Sequence, residues 1–390
     1  MDGTSRWTMA CVGDVLIDRP DHAVAFDHVA PLIAAADLSF ANCEAALSSS
    51  QLSPASLPIS SKPEHAQTLA KTGFHVMSLA NNHAANAGGQ GIADTRAALG
   101  RFNIGTVGAG GNLAEAQAPL VIERGGQKVA FLAYSSIFLP GDVARTDRPG
   151  ISVLRSHSYY YFNEVWSKTG VVIPGEDPRV GTVPYPEDVQ MLQLAIADAR
   201  KLADIVIVSH HSGISTKKGY LADYERLYAH AAIDAGADIV LGHHHHFLRG
   251  VELYNGRPIV YGLGIFMLDL PRVFAKTAPE ELERMRREGC DTYAMYPRAG
   301  YPLLPPFHPD CRYTMIAVFD FDGRMLNRVG LVPCYLNERG EPEPHPLDSP
   351  IGQAVHKYLV EITEAGALNA RYEAGGPKLN GFESFAVLPA

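Results

Sequence analysis

Short apolar runs rich in β-branched residues alternate with helical patterns through the first two thirds of the chain, and this alternation restricts the fold more than any other feature. Repeated β-α units are typical of α/β proteins in which helices cover a largely parallel sheet. Seven runs are predicted strands: 8–13, 38–41, 76–79, 129–134, 205–208, 239–241 and 259–262. Five segments with apolar residues three or four positions apart are predicted helices: 22–35, 64–71, 92–102, 187–202 and 220–235.

Composition narrows the class of protein. A chain of 390 residues with 46% hydrophobic residues can bury a large core. The net charge of -9 and the scattered Lys and Arg residues offer no basic surface, so we do not expect nucleic acid as a partner. Residues 1–10 lack an apolar signal-peptide stretch, and no later window approaches the ~20 apolar residues of a membrane span. We therefore expect a soluble, cytoplasmic protein with no membrane partner.

The chain has five cysteines, an odd number, and none of them forms a CxxC pair. They are Cys11, Cys43, Cys290, Cys311 and Cys334. This pattern is typical of buried thiols in a reducing compartment, and it leaves room for one disulfide.

Two long segments, 138–186 and 270–311, interrupt the β-α alternation. The first is rich in Tyr, Gly and Pro and includes the run 159–161 and Trp166; the second contains a charged helical pattern at 280–288. Segments of this length inside a domain either cover a functional site or decorate the periphery, and both interpretations stay open. A hairpin is predicted at 313–335 around Asp322 and Gly323, and a helix at 351–364.

Polar residues that can bind metals follow five of the predicted strands. They are Asp14 after the first strand, Asn42 and Glu44 after the second, Asn81, Asn82 and His83 after the third, His210 and His211 after the fifth, and His243 to His246 after the sixth. Because the carboxyl ends of parallel strands meet at one edge of a sheet, we expect these side chains to converge. Carboxylate, carboxamide and imidazole groups suit Zn, Mn, Fe or Ca better than a thiolate site would.

Each feature taken alone also has a structural interpretation. Asp14 after Gly13 is often a loop-capping residue, and Glu44 is compatible with an ordinary surface position. The run 81–83 suits a left-handed turn, and the histidine run 243–246 suits a solvated loop. Their recurrence at successive strand ends favours one common site.

Taken in order, these motifs resemble the CapA family of poly-gamma-glutamate capsule biosynthesis proteins. The resemblance extends over about 8–269 and rests on the segments 11–16, 42–44, 78–83, 108–110 with 115–116, 208–213, 236–246 and 261–266. CapA-like proteins are similar to calcineurin-like metallophosphoesterases. The resemblance therefore implies a four-layer α/β/β/α sandwich over 1–345, with 138–186 and 270–311 as inserted lids and 346–390 as a C-terminal helix and tail.

The resemblance also implies roles for individual residues. The implied metal ligands are Asp14, Glu44, Asn82, His211, His244 and His246. The implied catalytic residues are His83, Asp14 and His246. We further expect His243 and Arg249 to contact substrate, although Arg249 is equally compatible with an ordinary surface arginine.

Departures from the family pattern refine this hypothesis. Leu16 stands where the superfamily has a second histidine ligand, which favours one divalent ion over two. Asn86, His245 and Ile265 replace residues usual in CapA proteins. We also expect no membrane anchor of the kind common among capsule-assembly members, which favours a soluble tailoring or degradative enzyme.

Three functions remain open at this point. The first is a metal-dependent hydrolase that acts on a peptide or gamma-glutamyl amide, or on a phosphoester, with His83 as acid or charge-stabilising group. The second is a peptide epimerase that uses histidine acid/base pairs. The third is a non-catalytic subunit of poly-gamma-glutamate synthesis.

Overall fold

The strands of the protein form two large sheets. The computed structural model describes residues 6–161, 178–289 and 293–390, so the predictions made for Trp166 and Cys290 fall outside the described residues. The first sheet has the order β19-β20-β17-β16-β1-β2-β3-β4, with β15 beside β1 and β18 beside β17. Its strands are β1 (Arg6–Leu16), β2 (Leu38–Cys43), β3 (Val76–Ser78), β4 (Gly105–Val107), β15 (Ile265–Leu268), β16 (Tyr313–Asp322), β17 (Met325–Leu336), β18 (Pro342–Pro344), β19 (Ala370–Ala374) and β20 (Phe385–Pro389).

The second sheet has the order β13-β14-β12-β11-β7-β6. Its strands are β6 (Leu120–Arg124), β7 (Gln127–Ser135), β11 (Ile205–His211), β12 (Ile239–His243), β13 (Val251–Tyr254) and β14 (Arg257–Val260). Two small ribbons pair β5 (Ala109–Gly110) with β8 (Gly150–Ile151), and β9 (Ser156–Tyr161) with β10 (Arg179–Pro184).

The helices lie between the strands in sequence. They are α1 (Ala30–Ile33), α2 (His65–Thr72), α3 (Gly88–Gly100), α4 (Leu113–Gln117), α5 (Pro186–Leu202), α6 (Asp223–Asp234), α7 (Pro279–Gly289) and α8 (Pro350–Ala365), with short 3-10 turns at His22–Val24 and Pro309–Arg312. In the described part of the chain, no helix is both long enough and apolar enough to cross a bilayer.

The two sheets share one apolar core. Phe40 of β2 stacks on Phe131 of β7 with ring centroids 5.5 Å apart, and the same buried cluster contains Met9, Ile207 and Leu241. Burying a large apolar side chain stabilises a fold by about 1.5–3 kcal/mol, so this shared core is what holds the sheets face to face.

Helices cover the opposite faces of both sheets. Leu69 of α2 and Leu99 of α3 pack with Val12 on the far face of the first sheet. Leu192 of α5 and Ala232 of α6 pack against the far face of the second sheet. Because both faces of each sheet are buried, the central strands read as nearly continuous apolar runs in the sequence.

The predicted elements are largely present. Five of the seven predicted strands lie within observed strands, and the other two, 76–79 and 259–262, overlap β3 and β14 but extend beyond them. The hairpin and the helix near the C-terminus form as predicted. The predicted strands pair in parallel with one another, as expected, but they divide between two sheets. Antiparallel strands extend both sheets. The predicted helix at 22–35 is interrupted, since Pro31 has no N–H for a continuous helix and instead lies in the first turn of the short α1, which begins at Ala30.

Four of the five cysteines lie in the described part of the chain: Cys11, Cys43, Cys311 and Cys334. All four are free, buried thiols, as the sequence predicted.

Candidate metal centre

The carboxyl ends of strands from both sheets meet at one place. In the first sheet Asp14 of β1 pairs in register with Asn42 of β2, and in the second His211 of β11 pairs with His243 of β12. The backbones cross closely beside these residues. A Cβ at Gly13 would lie 1.8 Å from the carbonyl oxygen of Gly264, so only glycine fits directly before Asp14.

The first sheet contributes a network of carboxylates and carboxamides. Asn42 Nδ2 donates to Asp14 Oδ1 at 2.8 Å, and Asn81 Nδ2 donates to Asn42 Oδ1 at 3.0 Å and to the Cys43 carbonyl at 2.8 Å. Asn81 Oδ1 also accepts from the backbone N–H of His83 at 3.1 Å. These bonds hold the side chains that follow three successive strands in one arrangement.

The second sheet contributes histidines on a tight turn after β12. His244 and His246 both have left-handed backbone conformations, with φ of 88° and 61°. Such conformations are costly for residues other than glycine and persist where the surroundings impose them, often at functional sites. The turn brings the ring of His244 to 4.8 Å from that of His211, measured between centroids.

The two sets of side chains form two overlapping groups that could hold a metal ion. One group comprises Glu44, His211 and His244, and the other comprises Asp14, Glu44 and His246. Within each group the candidate ligand atoms lie within 4.8 Å of one another. Glu44 belongs to both groups, so its carboxylate is shared between them.

Several polar atoms at this place are buried and have no hydrogen-bond partner among the described residues. They are both carboxylate oxygens of Glu44, both ring nitrogens of His243, Nδ1 of His244 and Nδ1 of His245. An unsatisfied buried carboxylate is strongly unfavourable unless a cation or donor compensates it. The arrangement therefore fits a bound cation.

The carboxyl groups have strongly perturbed pKa values. Burial raises the pKa of Glu44 well above its usual value, and the nearby charge of Asp14 raises it further. Burial also acts to raise the pKa of Asp14, but the hydrogen bond and charge interaction with His246 outweigh it and hold that pKa below its usual value. Two like charges this close disfavour each other's ionisation, which a metal ion would reverse.

The imidazoles are held neutral. Burial lowers the pKa of His243 and of His83 to about 4, and lowers the pKa values of His211 and His244 well below the usual value. A neutral imidazole has a free lone pair and is the form that binds metals.

Asn82, His83 and His244 form the partly exposed side of the cluster. Asn82 Oδ1 lies 2.8 Å from His211 Nε2, and Asn82 Nδ2 lies 3.1 Å from His83 Nε2. His83 is thus next to the candidate ligands and within reach of solvent. The structure brings together all six predicted metal ligands and His83.

The two residues predicted to contact substrate are both buried. His243 is buried behind Asp14, with Nδ1 3.7 Å from Oδ1 of that residue. The Arg249 side chain is fully buried, and its Nη2 donates to the carbonyls of Ile214 at 2.7 Å and Lys217 at 2.9 Å. This burial argues against both predictions, because neither side chain is open to a substrate.

Other residues at the site were missed by the sequence analysis. Glu225 of α6 is buried, and its carboxylate lies 2.7 Å from Nε2 of His245. His245 is the residue between His244 and His246 on the turn. Phe307 places its ring 4.8 Å from that of His246, so the segment 270–311 does reach the site. A single glutamate or phenylalanine far along the chain carries no sequence signal that would connect it with these histidines.

Comparisons with known proteins identify the family of this chain. The family model described as bacterial capsule synthesis protein PGA_cap matches residues 8–270. The Sinorhizobium fredii protein y4sH is 30% identical over 395 residues, covering 85% of this chain and 82% of its own length.

Two further relatives carry functional names. The PGA biosynthesis protein CapA of Bacillus subtilis is 28% identical over 66% of this chain and 62% of its own length. A Mycobacterium tuberculosis protein named as a probable polyglutamine synthesis accessory protein is 36% identical over 52% of this chain and 47% of its own length.

Proposed function

The chain belongs to the bacterial capsule synthesis protein PGA_cap family, and from that premise we propose that it is a metal-dependent hydrolase whose centre is the cluster around Glu44. The observation that carries the proposal is the pair of unpartnered carboxylate oxygens of Glu44, buried between histidines from the other sheet. We propose one divalent ion, and a peptide or gamma-glutamyl amide or a phosphoester as the substrate. The two-sheet packing with helices outside suits the four-layer architecture of metallophosphoesterases.

The residues present fit a divalent cation. Glu44, His211 and His244 would hold it, with Asp14, Asn82 and His246 beside them. Two carboxylates with neutral imidazoles and a carboxamide oxygen form a hard-to-borderline donor set, suited to Zn, Mn, Fe or Ca. When bound, such an ion supplies Lewis acidity that activates water at neutral pH.

The chain's own residues would orient the substrate and manage its protons. His83 stands on the accessible side of the cluster between the carboxamides of Asn82 and Asn86, at 3.1 and 3.3 Å. Because burial keeps its pKa near 4, His83 is neutral at physiological pH and would donate a hydrogen bond to a developing negative charge. Phe307 against His246 would limit access of bulk water on one side.

A second candidate is a non-catalytic accessory role in polymer synthesis. The name of the Mycobacterium tuberculosis relative favours it, since that protein is described as an accessory protein. In that case the buried cluster would hold a structural cation, and replacement of His83 would leave function intact.

Elemental analysis and activity assays separate these candidates. The parent protein and a His83→Asn variant would be purified, analysed for metal, and assayed on aryl phosphates and gamma-glutamyl peptides with added Mn, Zn or Ca. The hydrolase proposal expects metal in both proteins and a loss of hydrolysis of about 100-fold or more in the variant. Metal without hydrolysis of either substrate favours the accessory role, and absence of metal from the parent contradicts the proposed centre.

A further inference from the structure

A cavity of about 560 Å³ lies beside the candidate metal centre, at the carboxyl end of β11. This volume is within the range of small-molecule sites, about 300–1,000 Å³. The described residues that line it include Ser136, Arg155, Gly213, Lys217 and the rings of Tyr185, Tyr220 and Tyr224. Nothing in the family resemblance assigns a role to this cavity.

The cavity shares a wall with the metal centre. Gly213 lies two residues beyond His211, and the backbone N–H of Ser136 donates to the His211 carbonyl at 2.9 Å. Tyr224 anchors the same wall, because its hydroxyl accepts from the N–H of Gly213 at 2.6 Å. Gly213 has φ of +97°, and a Cβ there would lie 2.0 Å from His245 Nε2, so the wall stays thin. A ligand in the cavity would therefore be separated from the candidate ligands by one strand end.

The charge of the cavity is positive. Its described lining residues include two cations, Arg155 and Lys217, and no carboxylate. Arg155 is already neutralised by Asp188 at 2.6 Å. Lys217 forms no ion pair with a described residue; its ammonium group lies 5.0 Å from the centre of the Tyr220 ring, whereas the neighbouring Lys218 pairs with Glu361 at 2.7 Å.

The loop that carries Lys217 is fixed from behind by Arg249. The buried guanidinium donates to the carbonyls of Ile214 and Lys217, which ties both ends of this short loop to the turn after β12. A cation on an anchored loop loses less conformational entropy on binding than one on a free loop. Arg249 was predicted to bind substrate, but in the structure it holds the loop whose Lys217 lines the cavity.

We propose that this cavity is a substrate subsite that binds an anionic group at the end of an apolar or aromatic body, with Lys217 as its ion-pair partner. The tyrosine rings provide the apolar surface, and the ammonium group of Lys217 selects the anion. This inference rests on the proposed function, since it places the far end of the hydrolysed substrate here. Carboxylate and phosphate share the required chemistry.

The test measures binding of small probes to the full-length protein by isothermal titration calorimetry. The probes are 4-phenylbutyrate, 3-phenylpropylphosphonate and the neutral 4-phenylbutyramide. Each is titrated into the parent, Lys217→Met, and the matched control Lys218→Met, which removes the neighbouring charge outside the cavity. Every titration is repeated after EDTA treatment, because an anion could also bind a metal directly.

We expect both anions to bind the parent about tenfold more tightly than the amide, with that advantage lost in Lys217→Met and kept in Lys218→Met. The tighter of the two anions identifies the group that the subsite prefers. Equal affinity for anion and amide, equal binding by parent and Lys217→Met, or binding abolished by EDTA alone overturns the inference. Since Lys217 dependence is measured after EDTA treatment, failure of the hydrolase proposal and failure of this one are distinguishable.

Discussion

The two sheets bring different chemistry to the same site. The first sheet supplies candidate oxygen ligands, Asp14 and Glu44, and the amide of Asn42 holds Asp14. The second supplies imidazoles, and His211 and His244 are kept neutral by burial. Neither half is balanced alone, because neutral imidazoles cannot compensate two adjacent buried carboxylates. One cation bound between the two sheets would balance the carboxylates of the first and use the lone pairs of the second.

The strongest test removes the carboxylate shared by both groups. We expect Glu44→Gln to weaken metal binding by more than about 100-fold, because Glu44 belongs to both candidate groups. Metal content after gel filtration, measured by mass spectrometry, checks this. The control Glu115→Gln removes an exposed carboxylate that pairs with Arg96 and should keep the parent's metal content.

Glu44→Gln also tests whether the paired carboxylates of Asp14 and Glu44 destabilise the metal-free protein. In EDTA-treated protein, Glu44→Gln should unfold at the same or a higher urea concentration than the parent, since it removes one of two like groups from the core. A clear loss of stability would mean that other groups compensate Glu44 in the metal-free protein. It would contradict the claim that the first sheet's carboxylates need a cation.

Removing a ligand of the second sheet should have a smaller effect. His244 belongs to one of the two groups, so His244→Ala is expected to weaken metal binding by about 10- to 100-fold. His356→Ala, a histidine near the C-terminus that packs on Phe385, is the matched control. A larger loss in His244→Ala than in Glu44→Gln would show that the imidazoles, and not the shared carboxylate, dominate the centre.

The buried histidines should make the second sheet sensitive to acid. Burial lowers the pKa of His210 from 6.5 to about 4, so between these values the unfolded chain binds a proton that the folded protein does not. Stability is therefore present above pH 6.5 and decreases as the pH falls towards 4, by about 1.4 kcal/mol per pH unit for each such group. Urea unfolding of EDTA-treated protein at several pH values should show a shallower pH dependence in His210→Asn than in the parent. An unchanged slope would contradict the lowered pKa of this histidine.

The smallest expected effect concerns the support of the histidine turn. Glu225 bonds His245, between His244 and His246, and also accepts from the backbone N–H of Ala222 at 2.7 Å. We expect Glu225→Ala to weaken metal binding by about tenfold or less through the displaced turn, and Glu225→Gln, which keeps a hydrogen-bonding group, to remain near the parent. Equal effects of both substitutions on metal affinity would show that the charge of Glu225, and not its hydrogen bond, matters.

The pattern of apolar residues along the chain predicted much of the fold, because it reflects which residues are buried. Strands buried on both faces are continuous apolar runs, so the run at 205–208 identifies β11 and the run at 239–241 identifies β12 directly. Their exact ends were missed, because Asp14 and His211 lie inside strands that are extended by partners distant in sequence. Strand β15, which pairs with β1 at Asp14, had no pattern of its own.

The residues of the candidate site also fall into those that the sequence could predict and those that it could not. The sequence placed Asp14, Glu44, Asn82 and the histidines after strands, and the structure brings these residues together. It could not place Arg249, since an arginine two residues from a turn has the same local sequence whether it faces solvent or the core. The difference was decided by the loop at 214–217, whose carbonyls meet the guanidinium only in the folded protein.

By itself, the sequence determined which segments become strands and helices and which residue types stand at the strand ends, because hydrophobic periodicity and local backbone chemistry act over a few residues. Only the tertiary structure decided which strands pair within each sheet, that Glu44 lies near both His244 and His246, and that Lys217 rather than Arg249 faces a cavity. Those outcomes depend on contacts between residues that are in some cases more than two hundred positions apart, and such contacts leave no local trace in the chain.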